Sequence, residues 1–493
     1  MDLHLRDAFP HLSGCPLFWQ HELYVGIIHP TDFVIEPKLQ EEPTSENIVQ
    51  ALKDDKLMRL ADICAFVNLL AQLPGNYVMT VNGRWGSGKT FFVKEAQMII
   101  EGTYGDDSDI RSALESNNVD AQSKNLATVY YDAWLHDGDE DPLASILDSL
   151  LRDERIQKDF FSPDKKGLKQ AVQECLKAIV ALLQPSAYNV VSSLSKAFDA
   201  LREGSGKVEA GNGRREDINR LLPQLFEEIL KATGKRRLIF FIDELDRCRP
   251  DYAVRLLETM KHYFVCGDVS FVLSVNVEQL SHTIRKHYGN DFDADLYLNR
   301  FFDYSFELPE IDSECYPAML LGYQNIKSRY MGYMFNEIVA YYHMGARELL
   351  SYWQNVGKYL VRYSESYQEP EGIMFGALVI ILAGMAVSNR AAYRAFLAGR
   401  DCKECIDIVM SQTSSGLRLD VWFGALLPSG GTFESRRVEK DIPLVDFTER
   451  FSDFHAYAFG FEHLSEERRK NLQSQYGYMS DFGKTMRKKL KVL

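Results

Sequence analysis

The stretch YVMTVNGRWGSGKTFFV, Tyr77 to Val93, decides the fold. Its first five residues, Tyr77–Val81, are an apolar run suited to a buried strand, and Phe91-Phe92-Val93 opens an apolar helix. Between them GRWGSGKT, Gly83–Thr90, satisfies G-x-x-x-x-G-K-[ST] in full. Glycines at such spacing let backbone N–H groups wrap an anion at a helix N-terminus, where the helix dipole also favours negative charge. The pattern therefore predicts a phosphate cradle lined by Gly83, Trp85, Gly86, Ser87, Gly88, Lys89, Thr90 and Phe91. Lys89 is expected on the β- and γ-phosphates and the Thr90 hydroxyl on magnesium, so the expected cofactors are ATP, or another nucleoside triphosphate, and Mg2+.

Three more short apolar runs follow: Thr128–Tyr131, Leu238–Ile242 and Ser270–Val275. Continuous apolar runs separated by helical stretches suit the buried strands of a parallel sheet. The expected class is α/β: a P-loop parallel sheet sandwiched by helices, with a helical insertion and a mainly helical C-terminal region. The third run ends in Asp243-Glu244. A carboxylate at the carboxyl end of a strand beside the loop can hold magnesium, which assigns Asp243 to the metal with Thr90. Glu244 is then placed to orient and deprotonate the attacking water. Asp246, Arg247 and Arg249 come next; an arginine there either stabilises transition-state charge or organises the loop by a salt bridge. Asn276 closes the fourth strand, where an amide can bond the γ-phosphate or the water.

Outward from this centre, residues 1–50 read as an N-terminal extension with short strands at Tyr24–Ile28 and Phe33–Ile35. The P-loop domain is expected over 51–310, opening with a helix, Leu57–Leu73, that Pro74-Gly75 ends. A helical insertion is expected over about 150–215, carrying the stripe Val172, Leu176, Ile179, Val180, Leu183, a second helix Val190–Leu201 and a loop with glycines at 204, 206, 211 and 213. A lid-like helical domain, 311–400, is rich in Tyr and Met, and a C-terminal region, 401–493, contains LPSGGT at 427–432.

With 493 residues, 46% hydrophobic and 26% charged, the chain has an ordinary globular composition. A net charge of -14 opposes a chain-wide attraction to nucleic acid or anionic lipid. The start carries no apolar secretory segment, and eight scattered cysteines read as reduced thiols, Cys402 and Cys405 included; a cytoplasmic protein is expected. The uncharged run Ile373–Val387 is shorter than the roughly 20 residues of a spanning helix, so it reads as a core helix and no integral membrane span is expected.

The pieces in this order resemble the KAP family of P-loop NTPases. GRWGSGKT fits its GxWGxGKT loop, YYDAWLHDGDEDPLASIL at 130–147 its second element with Asp132 in the place of Asn, and FFIDELDRCRP at 240–250 its D-[DE]-L-D-R-C-x-P. YLNRFFDYSFELP at 297–309 corresponds to its fourth element, with Arg300 in the place of lysine. SNRAAYR at 388–394 corresponds to a helical N-x-R-x-x-x-R and would place Arg390 near the nucleotide. The resemblance implies a bacterial NTPase of a kind often linked to phage exclusion and defence, with a partner protein encoded alongside. The arginines Arg247, Arg249, Arg300 and Arg390 suggest a homo-oligomer in which one copy completes its neighbour's site. Three readings of the activity stand: an ATPase that powers or gates an assembly, a nucleotide-gated switch or scaffold with little turnover, and a nucleic-acid translocase using the basic tail at Lys484–Lys491.

Overall fold

The computed structural model describes residues 42–55, 59–119, 121–153, 156, 179, 214–264, 268–309, 329–362, 370–411, 444–460 and 463–476. The strands expected at 24–28 and 33–35, the helix at 190–201, the glycine loop at 204–213, the 427–432 turn and the basic tail lie outside these residues, as does the 172–183 stripe apart from Ile179. The chain divides into two compact units, one of Gln40–Glu310 and one that includes Ile311–Leu493.

The first unit opens with α1 (Ser45–Asp54), capped by the Thr44 hydroxyl, and α2 (Leu60–Gln72). Strand β1 (Val78–Asn82) runs through the glycine loop into α3 (Lys89–Glu101), followed by α4 (Ser108–Ser116), β2 (Leu126–Asp132) and α5 (Pro142–Arg152). After the insertion come α6 (Arg214–Thr233), β3 (Arg237–Asp243), α7 (Pro250–Tyr263), β4 (Val269–Val275), α8 (Val277–Tyr288), α9 (Ala294–Leu298) and β5 (Tyr304–Glu307).

The five strands form one sheet in the order β2-β3-β4-β1-β5, and every pairing is parallel. Alternation along the strands feeds two cores. Ile239, Phe241 and Val272 pack with α1, α2 and α3 on one face. Leu238, Phe240, Ile242, Phe271 and Leu273 pack with α5, α6, α7 and α8 on the other. Strands covered on both faces need apolar residues throughout, which is why β3 and β4 are buried along their whole length. The chain is α/β, a parallel sheet between helical layers. The fifth strand was not anticipated: β5 has four residues, mostly exposed, at the sheet's edge, and only Phe306 turns inward, to rings Phe66 and Phe92.

The described part of the second unit is all helical: α10 (Arg329–Tyr341), α11 (Ala346–Arg362), α12 (Pro370–Ser388), α13 (Arg390–Leu397), α14 (Lys403–Met410), α15 (Leu444–Phe459) and α16 (Glu466–Tyr476). Helix α12 contains the apolar run expected to be a core helix. Seven consecutive residues, Ala377–Ala383, are buried, enclosed by α10, α11, α13 and α14. No helix among the described residues is long and apolar enough to cross a membrane.

Candidate functional site

The register brings the strand ends level. Asp132 pairs with Asp243, Asp243 with Ser274, and Val275 with Asn82, so the loops leaving β2, β3, β4 and β1 share one edge of the sheet. β4 lies between the strand that launches the glycine loop and the strand that ends in Asp243.

At the loop, Gly86 and Gly88 have φ of 79° and 89°, in the left-handed region where a side chain is strained. A Cβ on Gly83 would lie 2.9 Å from Ser87 Oγ and 3.3 Å from Leu308 Cβ, so only glycine lets the loop close there. The first intrahelical bond of α3 is Phe92 N–H to Gly88 O, at 3.0 Å. The amides of Lys89, Thr90 and Phe91 therefore open toward the helix start, as an anion requires. The Phe91 ring itself packs against the core, which limits its part to the backbone. Buried Lys89 donates to Gly83 O at 2.7 Å and to Arg84 O at 3.1 Å. Burial lowers its pKa, and Asp246, Asp243 and Glu244 oppose that.

Thr90 and Asp243, 153 residues apart in sequence, meet: Thr90 Oγ1 donates to Asp243 Oδ2 at 2.7 Å. Strand alternation explains the meeting, because Ile239, Phe241 and Asp243 share the face that α3 covers. A hydroxyl and a carboxylate at a helix N-terminus are hard oxygen donors, the set magnesium takes, so these two residues fit that ion. Sequence reasoning missed Tyr130, whose hydroxyl donates to the same Asp243 oxygen at 2.9 Å. Its place in β2, one residue before the inward Tyr131 and two before Asp132, was the available signal.

Glu244 adopts φ 61°, ψ 21°, a left-handed conformation for a non-glycine residue. Burial first, then the charge of Asp243, push its carboxyl up to about 7, against the pull of Arg247. Arg247 Nε lies 2.5 Å from Glu244 Oε2. Its guanidinium also sits 5.9 Å from the Trp85 ring and 5.6 Å from the Trp134 ring. Trp85 Nε1 donates to Asp246 Oδ2 at 2.6 Å, joining the glycine loop to the acidic loop after β3. Arg249 instead binds the Asp137 carbonyl and carboxylate, which is the loop-organising alternative.

Asn276 stands at the end of β4, between the two halves of the site, but its Oδ1 caps α8 by accepting from Gln279 N–H at 3.1 Å. Only its Nδ2 is left to face a ligand. Asn82, unnoticed in the sequence, accepts from Val277 N–H at 3.0 Å and donates to Glu307 at 2.8 Å, tying β1, β5 and α8 together.

Arg300 is not brought to this edge. β5 pairs Tyr304 with Met79 at the amino end of β1 and Glu307 with Asn82 at its carboxyl end. Arg300 precedes β5, its carbonyl held by Lys261 from the last turn of α7, so it stands exposed at the opposite end of the sheet. Roughly 15 Å of strand, at about 3.3 Å per residue, separates it from the glycine loop of its own chain. Arg300 therefore lies away from its own chain's glycine loop, and its expected part in completing a neighbouring copy's site stands as a proposal. Arg390 belongs to the second unit, where it is exposed at the start of α13.

Residues 44–330, more than half of the chain, match the KAP family P-loop domain. The chain belongs to the KAP family of P-loop NTPases. An uncharacterized protein of Methanocaldococcus jannaschii is 31% identical over 162 residues, covering 28% of this chain and 84% of that protein. In this KAP chain, family membership and geometry agree at the coarse level of a nucleotide-binding P-loop domain.

Proposed function

We propose that this KAP chain hydrolyses ATP, or a related nucleoside triphosphate, with magnesium. The observation that carries the reading is the 2.7 Å bond between Thr90 Oγ1 and Asp243 Oδ2, which joins a complete phosphate loop to the acid of a distant strand. Thr90 and Asp243 would hold the ion, which neutralises charge on the phosphates when bound. Lys89 leaves the Gly83 and Arg84 carbonyls for phosphate oxygens. Glu244 orients the water and takes its proton, Asn276 Nδ2 bonds the γ-phosphate or that water, and Tyr130 holds Asp243 in place. Arg247 stabilises charge developing on the phosphoryl group once it lets go of Glu244. The test is phosphate release by purified protein with and without magnesium, against Glu244→Gln. Release that is independent of magnesium and of Glu244 refutes the assignment.

A second reading, a nucleotide-gated switch with little turnover, is favoured by one feature. The Glu244 carboxylate is engaged by Arg247 at 2.5 Å, so the base is not poised until that pair parts. Single-turnover hydrolysis separates the two readings: a switch shows tight binding and no burst of phosphate. A role in phage defence rests on resemblance to bacterial family members, a homo-oligomer on the arginines Arg247, Arg249, Arg300 and Arg390, and a cytoplasmic place on the sequence's start and its scattered cysteines; powering or gating an assembly, with a partner protein encoded alongside, is proposed with them. They are proposals on those grounds.

A further inference from the structure

Arg59, the residue before α2, is buried to 4% exposure, and its charge acts on the buried carboxyl of Glu95. Its own amide is fixed by Asp55 Oδ1 at 2.8 Å, so the guanidinium projects from an anchored point. Nη1 donates to the Ser87 carbonyl and Nη2 to the Pro309 carbonyl, each at 2.5 Å. Ser87 lies inside the glycine loop. Pro309 is where the chain leaves the first unit, two residues before the second begins. Next to this bridge, Leu308 packs against Gly83 and donates its N–H to Asn82 O at 2.8 Å.

We propose that Arg59 is a positioning residue that sets the phosphate loop and links its state to the segment leading to the second unit. Because a trans peptide points its C=O and N–H in opposite directions, holding Ser87 O outward aims the Gly88 N–H inward, at the anion cradle. The peptide would otherwise turn with little resistance, since Gly86 and Gly88 flank Ser87 and both hold positive φ. A guanidinium is rigid and planar, so movement at one of its carbonyls is passed to the other. At the far end proline's φ is fixed, which keeps that displacement from being absorbed locally. A lysine ends in a compact ammonium on a flexible stem, with no rigid planar fork, so movement at one carbonyl is not passed to another. The inference rests on reading Gly83–Thr90 as the triphosphate site.

The experiment follows amide exchange of the peptide containing Leu308 in the full chain, with and without magnesium and a non-hydrolysable ATP analogue. In the parent protein the analogue should slow exchange there by about threefold or more, the scale of a modest change in local opening. Arg59→Lys should still bind the analogue, within about tenfold of the parent affinity, and should lose the slowing. Slowing that persists in Arg59→Lys, or that is missing in a parent protein shown by calorimetry to bind the analogue, overturns the inference. Absence of binding by the parent overturns the nucleotide reading itself, and the link with it. If Arg59→Lys does not fold, Leu308→Ala decides, because it keeps the guanidinium and both carbonyls. Retained slowing supports the bridge, and lost slowing assigns the effect to packing on Gly83.

Discussion

In the first unit three of the buried ionisable groups, Lys89, Asp243 and Asp246, collect at one edge of a sheet by the start of one helix, while Arg237 and Asp148 are buried elsewhere. Among the described residues of the second unit, polar contacts are single pairs spread between helices. Tyr342 donates to Glu404 at 2.9 Å across helices, and His455 Nε2 meets the Phe396 carbonyl at 2.8 Å. Convergence of titratable groups on one helix start suits an anionic ligand with its metal ion, whereas isolated pairs between helices suit packing. The proposed chemistry is placed in the first unit on that difference.

The largest expected effect is that of Lys89→Ala. It removes a buried cation aimed at phosphates and should weaken ATP binding by about 100-fold or more in calorimetry, at the upper end of charge-assisted bonds. Exchange protection of Ala377–Ala383 should not change, and a loss there would break the separation of roles. Glu244→Gln should keep ATP binding and reduce turnover roughly 100-fold, the scale of a lost general base. Turnover at the parent rate would remove Glu244 from the mechanism.

Gly384→Val probes the other side of the comparison. A Cβ at Gly384 would stand 2.4 Å from Ile338 Cγ2, so the overpacked helix should lose about 1–3 kcal/mol of stability. Unchanged ATP affinity in the same variant keeps the two units distinct. For His455, burial lowers the pKa below 6.5, against Asp401 and the Phe396 carbonyl. The unfolded chain therefore binds a proton that the folded chain does not, and stability is complete above that pH and declines as pH falls below it. Between pH 7.5 and 5.5 the second unit should lose stability, read by exchange of residues 451–459, and His455→Gln should abolish the decline. Arg300→Ala should have the smallest effect, with turnover per chain unchanged in dilute protein. A loss that emerges only as concentration rises would assign this arginine to a neighbouring copy.

Much of the first unit was legible because its sequence obeys two local rules. Apolar runs mark strands buried on both faces, and Gly83–Thr90 encodes a backbone shape that few other residues allow. The four long strands lie within two residues of their expected bounds. Tyr130, Asn82 and Arg59 were hidden because their roles depend on register and on a partner up to 250 residues away. Which end of the sheet Arg300 occupies was hidden for the same reason: its position after the fourth strand says nothing about the register of a fifth. The second unit was less readable still. α12 is apolar on every side and so gives no face, and the stacking of Phe335 on Tyr352, 4.4 Å between ring centres, follows no periodicity.

The left-handed backbone at Glu244 has a consequence for anyone who improves this protein by selection. A non-glycine residue held there carries about 1–2 kcal/mol of conformational penalty that glycine does not. Glu244→Gly would relieve the penalty and remove the carboxylate in one substitution, so on the proposed mechanism screening for heat resistance alone would enrich chains that endure without turnover. Durability and turnover compete at a single codon, and any thermal screen needs a phosphate-release assay beside it.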